Sequence, residues 1–210
     1  MKTQNKTSVA VLAALGLTLG ATSFSAQAIQ AGDMFARVTA TTVNPTNNQE
    51  AFSIVPAIAK VDSNTQLGAT FVYMIKNNVG IEILAATPFS HEISAGGSKI
   101  GETKQLPPTV SIQYYFNAET KLRPYVGVGL NYTTFFNDKT ISGLGGDLEL
   151  DDSFGLAAQI GADYDINEKW FISADVRYIN IETKATNSVA GTADVEINPT
   201  VVSIGVGYKF

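Results

Sequence analysis

The sequence contains no cysteine and only one histidine, His91. Without cysteine the chain can form no disulfide and offers no thiolate to zinc, and a single histidine supplies too few ligands for a structural or catalytic zinc site. The run Ser90-His91-Glu92 contains the three residue types of a catalytic triad, but neighbours on an extended segment point apart. We therefore interpret His91 as an exposed loop residue and predict no catalytic site, no metal and no cofactor.

Positive charge is also scarce, since 14 lysines and arginines face 19 aspartates and glutamates, for a formal net charge of −5. A negative chain repels phosphate, which argues against nucleic acid as a partner. The sequence also lacks any apolar run of helix-spanning length after residue 21. If the protein enters a membrane it must do so with strands, because only helices and closed barrels satisfy every backbone group there.

The one long apolar run, residues 9–21, follows Lys2 and Lys6 and precedes the small-residue sequence Ala-Gln-Ala. It is shorter than the roughly 20 residues that a membrane-spanning helix needs. This layout predicts a secretory signal peptide over residues 1–28, cleaved to leave a mature chain of 29–210. Loss of the two lysines would change the formal charge from −5 to −7. An exported chain without disulfides must obtain its stability from the fold.

What the sequence does contain is strict alternation of apolar and polar residues, which is typical of β-strands. In the closing segment, Val202, Ile204, Val206, Tyr208 and Phe210 alternate with Ser203, Gly205, Gly207 and Lys209. Eight alternating segments lie near 34–43, 65–74, 79–88, 107–116, 123–134, 152–164, 169–179 and 202–210. Strands of about ten residues cross a bilayer when tilted. The pattern therefore predicts an all-β fold, an eight-stranded antiparallel transmembrane β-barrel.

The connections alternate in length and predict the orientation. Short turns lie near 76–78, 117–121 and 166–169, and long loops near 44–64, 89–106, 135–152 and 180–198. This asymmetry is typical of outer-membrane barrels, which have short periplasmic turns and long extracellular loops. Aromatic residues predict two belts, with Tyr73, Tyr114, Phe116, Tyr164, Trp170, Tyr208 and Phe210 at the periplasmic interface and Phe89, Tyr132, Phe135, Phe154 and Tyr178 at the outer one. A secreted soluble β-sandwich or lipocalin-like barrel would also alternate, but it would require neither the belts nor the loop asymmetry.

Several stretches resemble a known family. They are NTQLGATFVYM at 64–74, NNVGIEILAATPFSHEI at 77–93, LPPTVSIQYYF at 106–116, RPYVGVGLNYTTFF at 123–136 and the closing GYKF. Together they resemble the OmpW family of outer-membrane proteins over most of the mature chain, whereas loop residues 46–63 and 184–198 match little. The resemblance implies an eight-stranded barrel in the bacterial outer membrane and a role in passage of small hydrophobic molecules. Outer-membrane lipid and lipopolysaccharide are the surroundings expected of such a barrel.

The inward parity of the strands predicts what fills the barrel. Its charged members are Arg37, Glu82, Asp163, Asp175, Arg177 and Lys209, accompanied by Thr39, Gln66, Thr70, Gln113 and Gln159. An eight-stranded barrel is about wide enough for its own side chains, so three cations and three anions predict a paired polar plug rather than a water pore. The same parity places Val72, Met74, Leu84 and Phe171 inside, which an ion channel would not need. A hydrophobic molecule would then enter from the loops and, stopped by the plug, leave sideways into lipid.

Prolines mark a candidate exit. Pro88 ends the third predicted strand, and Pro107 and Pro108 begin the fourth, its neighbour in the barrel. Because proline cannot donate to a ladder, we predict that these two strands part near the outer rim. The alternative is that the prolines only end strands and stiffen the starts of loops.

The sequence leaves two functions open. The first is a passive, non-enzymatic channel for small hydrophobic molecules with lateral exit into the membrane. The second is an envelope structural or surface-recognition barrel without transport, whose loops bind ligands or host surfaces. At the end of the chain, Tyr208 and Phe210 resemble the sorting signal that the barrel assembly machinery reads, and we expect them to direct insertion.

Overall fold

The computed structural model describes residues 28–46, 48–49, 59–95, 98–140, 147–189 and 191–210. The strands in these ranges are β1 Met34–Asn44, β2 Asn48–Gln49, β3 Ala59–Val61, β4 Asn64–Lys76, β5 Val79–Ala86, β6 Phe89–Ala95, β7 Ser98–Leu106, β8 Thr109–Tyr115, β9 Leu122–Thr140, β10 Leu148–Leu150, β11 Ser153–Asp165, β12 Trp170–Ile179, β13 Glu182–Asn187, β14 Gly191–Glu196 and β15 Thr200–Lys209. Apart from Ala28, the predicted signal peptide lies outside the described residues. None of the described segments is a helix long and apolar enough to cross a membrane.

Eight of these strands form one antiparallel barrel in the order β1, β4, β5, β8, β9, β11, β12 and β15. β15 pairs with β1 from Phe35↔Lys209 to Asn44↔Thr200, so the last strand closes on the first. Closure of this kind removes the free sheet edges that an open sheet would expose. The eight strands coincide with the predicted segments within a few residues, except that β9 continues to Thr140. The predicted barrel is confirmed.

Alternation gives each barrel strand one buried and one exposed face. In β12 every second residue is buried, and β8 shows the same period. The outward residues are largely apolar and strongly exposed, as Val128 (67%), Leu156 (68%) and Ile204 (61%) illustrate. A continuous apolar exterior is unfavourable in water but suits the hydrocarbon of a bilayer. The strands therefore place a lipid-facing surface around the lumen.

Most of the predicted aromatic belts face outward, but two of their members do not. The exposed members include Tyr73, Tyr114, Phe116, Tyr164, Trp170 and Phe210 near the periplasmic end and Tyr132, Phe154 and Tyr178 near the outer end. Phe89 and Phe135 are buried, so their placement in the outer belt was wrong. Phe135 shares the inward parity of Tyr125 on β9. Phe89 starts a new strand after Pro88, where the alternation of β5 no longer applies.

The described parts of the long loops are ordered into strands above the barrel. β6 and β7 form a hairpin, and β7 continues the barrel wall by pairing with the outer part of β9 up to Gly101↔Thr140. β3 pairs with β6 on the other side of this hairpin. A second sheet has the order β10, β13, β14 and β2. The lumen is therefore longer than the bilayer-spanning strands alone would make it.

Candidate functional site: the barrel lumen

Arg37 lies at the centre of a buried polar network in the periplasmic half of the barrel. Its Nε and Nη2 donate to the two carboxylate oxygens of Asp163 at 3.1 and 2.8 Å, and its Nη1 donates to Glu82 Oε2 at 3.2 Å. The hydroxyl of Tyr115 accepts from Nη2 at 2.8 Å. Arg37, Glu82 and Asp163 are each exposed by 1% or less. Such buried charges are tolerated only when they are paired and hydrogen-bonded, as they are here.

Glu82 connects Arg37 to a second arginine, Arg177. Its Oε1 accepts from Arg177 Nη2 at 2.8 Å and from Gln159 Nε2 at 3.1 Å, while its Oε2 also accepts from Gln113 Nε2 at 2.8 Å. Arg177 Nη2 donates to Gln159 Oε1 as well, at 2.6 Å. Together with the bond from Arg37 to Glu82, these bonds join residues from five different barrel strands across the lumen. We refer to this network, together with Asp163 and Asp175, as the plug.

The two remaining residues predicted for the plug lie at its edges. Asp175 Oδ1 is 3.8 Å from Arg177 Nη2. Lys209 lies one layer nearer the periplasm and donates from Nζ to Asp165 Oδ2 at 2.7 Å, an oxygen that Arg123 also contacts. Arg123 and Asp165 are not among the lumen residues predicted from the sequence. Parity could have found them, because both share the inward parity of their strands.

An apolar and aromatic layer packs around the periplasmic end of the plug. Its members are Ile29, Phe35, Val72, Met74, Tyr115, Tyr125 and Phe171. The guanidinium carbon of Arg37 lies 5.0 Å from the ring centroid of Phe35 and 5.8 Å from that of Phe171. Three of the four apolar residues predicted in the lumen, Val72, Met74 and Phe171, are fully buried in this layer. They close the periplasmic side and do not line an outer passage.

Above the plug the lumen becomes apolar. The cavity there, which we call the outer chamber, is lined mainly by Val43, Leu84, Phe89, Ile179, Ile181 and Val201. Arg177 forms part of its floor and Gln105 part of its wall. The chamber is nearly filled by its own side chains and has room for about one water molecule. Leu84 is the predicted apolar lumen residue that lies here, and β6 and the linker after β12 supply others that strand parity did not identify.

The wall of the outer chamber is interrupted between β5 and β8. Their ladder ends at Leu84↔Thr109, and the next pairing along this wall is Phe89↔Gln105 in the β6–β7 hairpin. The residues between these points, which we call the seam, are 85–88 and 106–108, including Pro88, Pro107 and Pro108. Pro107 also lines the chamber. The interruption therefore lies between the chamber and the outside of the barrel.

Known proteins are similar to this chain in sequence and in fold. Residues 30–210 match the OmpW family. The chain belongs to the OmpW family. Outer membrane protein W of Vibrio cholerae is 48% identical over 217 residues, covering 96% of this chain and 97% of that protein. The crystal structure of OprG from Pseudomonas aeruginosa superposes with a TM-score of 0.82 at 39% identity, covering 88% of this chain and 99% of that one.

A further relative is the outer membrane protein AlkL of Ectopseudomonas oleovorans. It is 30% identical over 162 residues, which cover 73% of this chain and 70% of AlkL. The relatives are outer-membrane proteins, and their solved structures are barrels. This OmpW-family barrel therefore lies in the bacterial outer membrane, where lipid and lipopolysaccharide surround it.

The single histidine of this OmpW-family barrel is buried, which corrects the prediction of an exposed loop residue. His91 is 2% exposed, and its ring stacks on Phe89 with centroids 6.4 Å apart. Its Nδ1 donates to the carbonyl oxygen of Asp62 at 2.7 Å, and its Nε2 accepts from Gln105 Nε2 at 2.9 Å. Burial lowers the pKa of His91. The prediction was wrong because this loop segment is a paired strand whose inner face carries Phe89 and His91.

Proposed function

We propose that this barrel passes small hydrophobic molecules passively from the cell surface into the outer membrane. A molecule would enter between the extracellular strands, occupy the outer chamber and leave through the seam. The observation that carries the proposal is the position of the seam. It interrupts the wall of an apolar chamber directly above a closed polar plug, at residue Pro107, which itself lines that chamber.

The plug supports a lateral route by making an axial one costly. A guest that continued toward the periplasm would have to separate the Arg37–Asp163 and Arg177–Glu82 pairs, each of which is almost fully buried. Removing one partner of a buried ion pair costs about 3–5 kcal/mol because the other charge is left uncompensated. A hydrophobic molecule offers no hydrogen bond in return. The lower half of the lumen therefore acts as a stop.

The seam supports the exit. Proline lacks the N–H that would complete a ladder, and the pairing of β5 with β8 is not continued between 85–88 and 106–108. The first edge remains bonded to β4 and the second to β9, so only the contact between the two edges has to open. The side chains of Ala85 and Ala86 are small, so a guest leaving through the seam would have few side-chain atoms to displace. Because the chamber now has room for about one water, passage requires these edges to move apart.

Flux measurements test the proposal. The protein would be reconstituted in vesicles whose outer leaflet contains lipopolysaccharide, which slows the unassisted passage of hydrophobic molecules. We expect a fluorescent hydrophobic probe to enter faster than in protein-free vesicles, whereas planar bilayers show no steady ion current. Equal probe entry with and without protein would contradict transport.

A second candidate function is surface recognition, and the ordered sheet above the barrel favours it. Its outward side chains include Glu182, Lys184, Asp194 and Glu196, which present a charged face to the exterior. Deletion of residues 182–196 separates the two functions. Loss of binding to cells or phage with flux unchanged would favour recognition, and loss of flux alone would favour transport.

A further inference from the structure

Arg177 carries two unused hydrogen-bond donors at the floor of the outer chamber. The side chain is 1% exposed, and its Nη2 is engaged by Glu82 and Gln159. Its Nε and Nη1 have no acceptor among the residues that the structure describes. The arginine thus has one nitrogen in the plug and two uncommitted nitrogens buried beneath the apolar lining of the chamber, so a guest reaches them only when the chamber widens.

An unsatisfied buried donor is unfavourable by about 1–3 kcal/mol, and more when it is charged. Native proteins rarely retain such a group without a water, an ion or a ligand to satisfy it. The chamber has room for about one water, so the site is suited to a small acceptor atom rather than to a hydrated ion. The apolar walls would surround whatever is attached to that atom.

The charges around Arg177 determine whether its unpaired donors would bind a neutral or an anionic acceptor. Arg177 is paired with Glu82 and lies 3.8 Å from Asp175, and Glu82 is shared with Arg37, which holds Asp163 at both oxygens. Two guanidinium groups therefore face three carboxylates, and no positive charge is left to balance an anion. A neutral acceptor such as a carbonyl, ether or hydroxyl oxygen fits, whereas a carboxylate would be repelled.

The chamber wall contains one further unused polar atom. Gln105 is 1% exposed and donates from Nε2 to His91, but its Oε1 has no partner among the described residues. This oxygen lies on the hairpin side of the chamber, beyond the end of the β8 ladder. Unpaired polar atoms are thus buried behind the apolar lining on two sides of the chamber.

We propose that the outer chamber binds apolar chains that end in a neutral hydrogen-bond acceptor, and that Arg177 is the residue that recognises this end. The inference rests on the proposed function, because the guest occupies the same chamber. Chains ending in a ketone, aldehyde, ester or alcohol are favoured over plain hydrocarbons and over ionised fatty acids. Arg177 therefore adds polarity-based selection to a passage defined by apolar walls.

The test is a titration of the protein in lipid nanodiscs, followed by nuclear magnetic resonance. The probes are 2-decanone, decane and, at pH 9, ionised decanoate. Two signals are read, the Arg177 Nε–H and the methyl groups of Ile179, Ile181 and Val201. We expect 2-decanone to move both signals, decane to move only the methyls with about ten-fold weaker affinity, and decanoate to bind no better than decane.

The Arg177→Lys variant provides the matched control, since lysine keeps the charge beside Glu82 but has no fork of free N–H groups. In this variant 2-decanone and decane should bind equally. Methyl shifts from both probes with an unmoved Arg177 Nε–H in the native protein would overturn the inference and leave the proposed function intact. If no probe moves the chamber methyls, the proposed function itself fails. The ligand comparison in the native protein does not depend on the folding of the variant.

Discussion

Arg37 and Asp163 form a two-point ion pair across the barrel lumen, with Nε–Oδ1 at 3.1 Å and Nη2–Oδ2 at 2.8 Å, although 126 residues separate them in the chain. They belong to β1 and β11, which are not neighbours in the barrel. The pair therefore ties opposite parts of the wall together through the lumen. Its geometry explains why the lower half of the barrel is closed.

Replacement of Asp163 by Asn should destabilise the barrel by about 3–5 kcal/mol, because Arg37 would lose its paired carboxylate while remaining buried. Urea unfolding of the protein in lipid vesicles, followed by gel mobility, measures the change. Asp194→Asn is the matched control, since Asp194 lies on the exposed face of β14 and should change stability by less than about 0.5 kcal/mol. Equal stability of the two variants would show that the plug is not structural.

His91 should titrate below its ordinary pKa of about 6.5, because burial disfavours the charged ring. The unfolded hairpin takes up the proton first, so the stability that His91 confers is complete above about pH 6.5. It is lost as the pH falls through the lowered pKa of the folded state. Protonation would also set Nε2–H against the Gln105 amide that now donates to it.

The ring resonances of His91 measure this pKa without ambiguity, since the sequence contains one histidine. The protection factors of the amides in β6 and β7, which correct for the slower intrinsic exchange at lower pH, should decrease as the pH falls below 6.5. The His91→Gln variant should abolish that pH dependence. A ring that titrates at or above 6.5 in the folded protein would contradict the described environment.

Deletion of Phe210 should leave the protein exported but poorly inserted. The Phe210 amide donates to the Met34 carbonyl at 3.0 Å, and its ring lies 5.4 Å from that of Tyr208, at the point where β15 closes on β1. Fractionation of cells into periplasm and outer membrane measures insertion. Phe210→Trp keeps an aromatic side chain at this position and should insert normally. Normal insertion of the deleted form would count against a signal at Tyr208 and Phe210.

The barrel could be predicted from the sequence because the patterns that specify it extend over only a few neighbouring residues. Two-residue alternation, strand length and loop asymmetry are all visible in one chain, and together they placed Arg37, Glu82 and Asp163 on the inner face. The same parity, applied along the whole of β9, would also have placed Arg123 and Phe135 on the inner face. Each of these residues shares the parity of Tyr125 on β9.

The outer chamber could not be predicted in the same way. Phe89 and Ile181 reach the lumen from segments in the long loops, where bends such as that at Pro88 reset the alternation. Burial of His91 depends on the pairing of β6 with β7, and no short sequence pattern predicts that pairing. Contacts between distant loops decide these positions, and a single sequence does not display them.

Closure of the seam is the decisive experiment for lateral exit. Because the chain has no native cysteine, Ala85→Cys with Leu106→Cys can be joined across the seam by a cleavable bifunctional thiol reagent. Ala69→Cys with Ala85→Cys is the control, since these residues already pair in the β4–β5 ladder. We expect the seam cross-link to stop uptake of a hydrophobic probe, its cleavage to restore uptake, and the control cross-link to have no effect. Undiminished uptake through a cross-linked seam would contradict lateral exit.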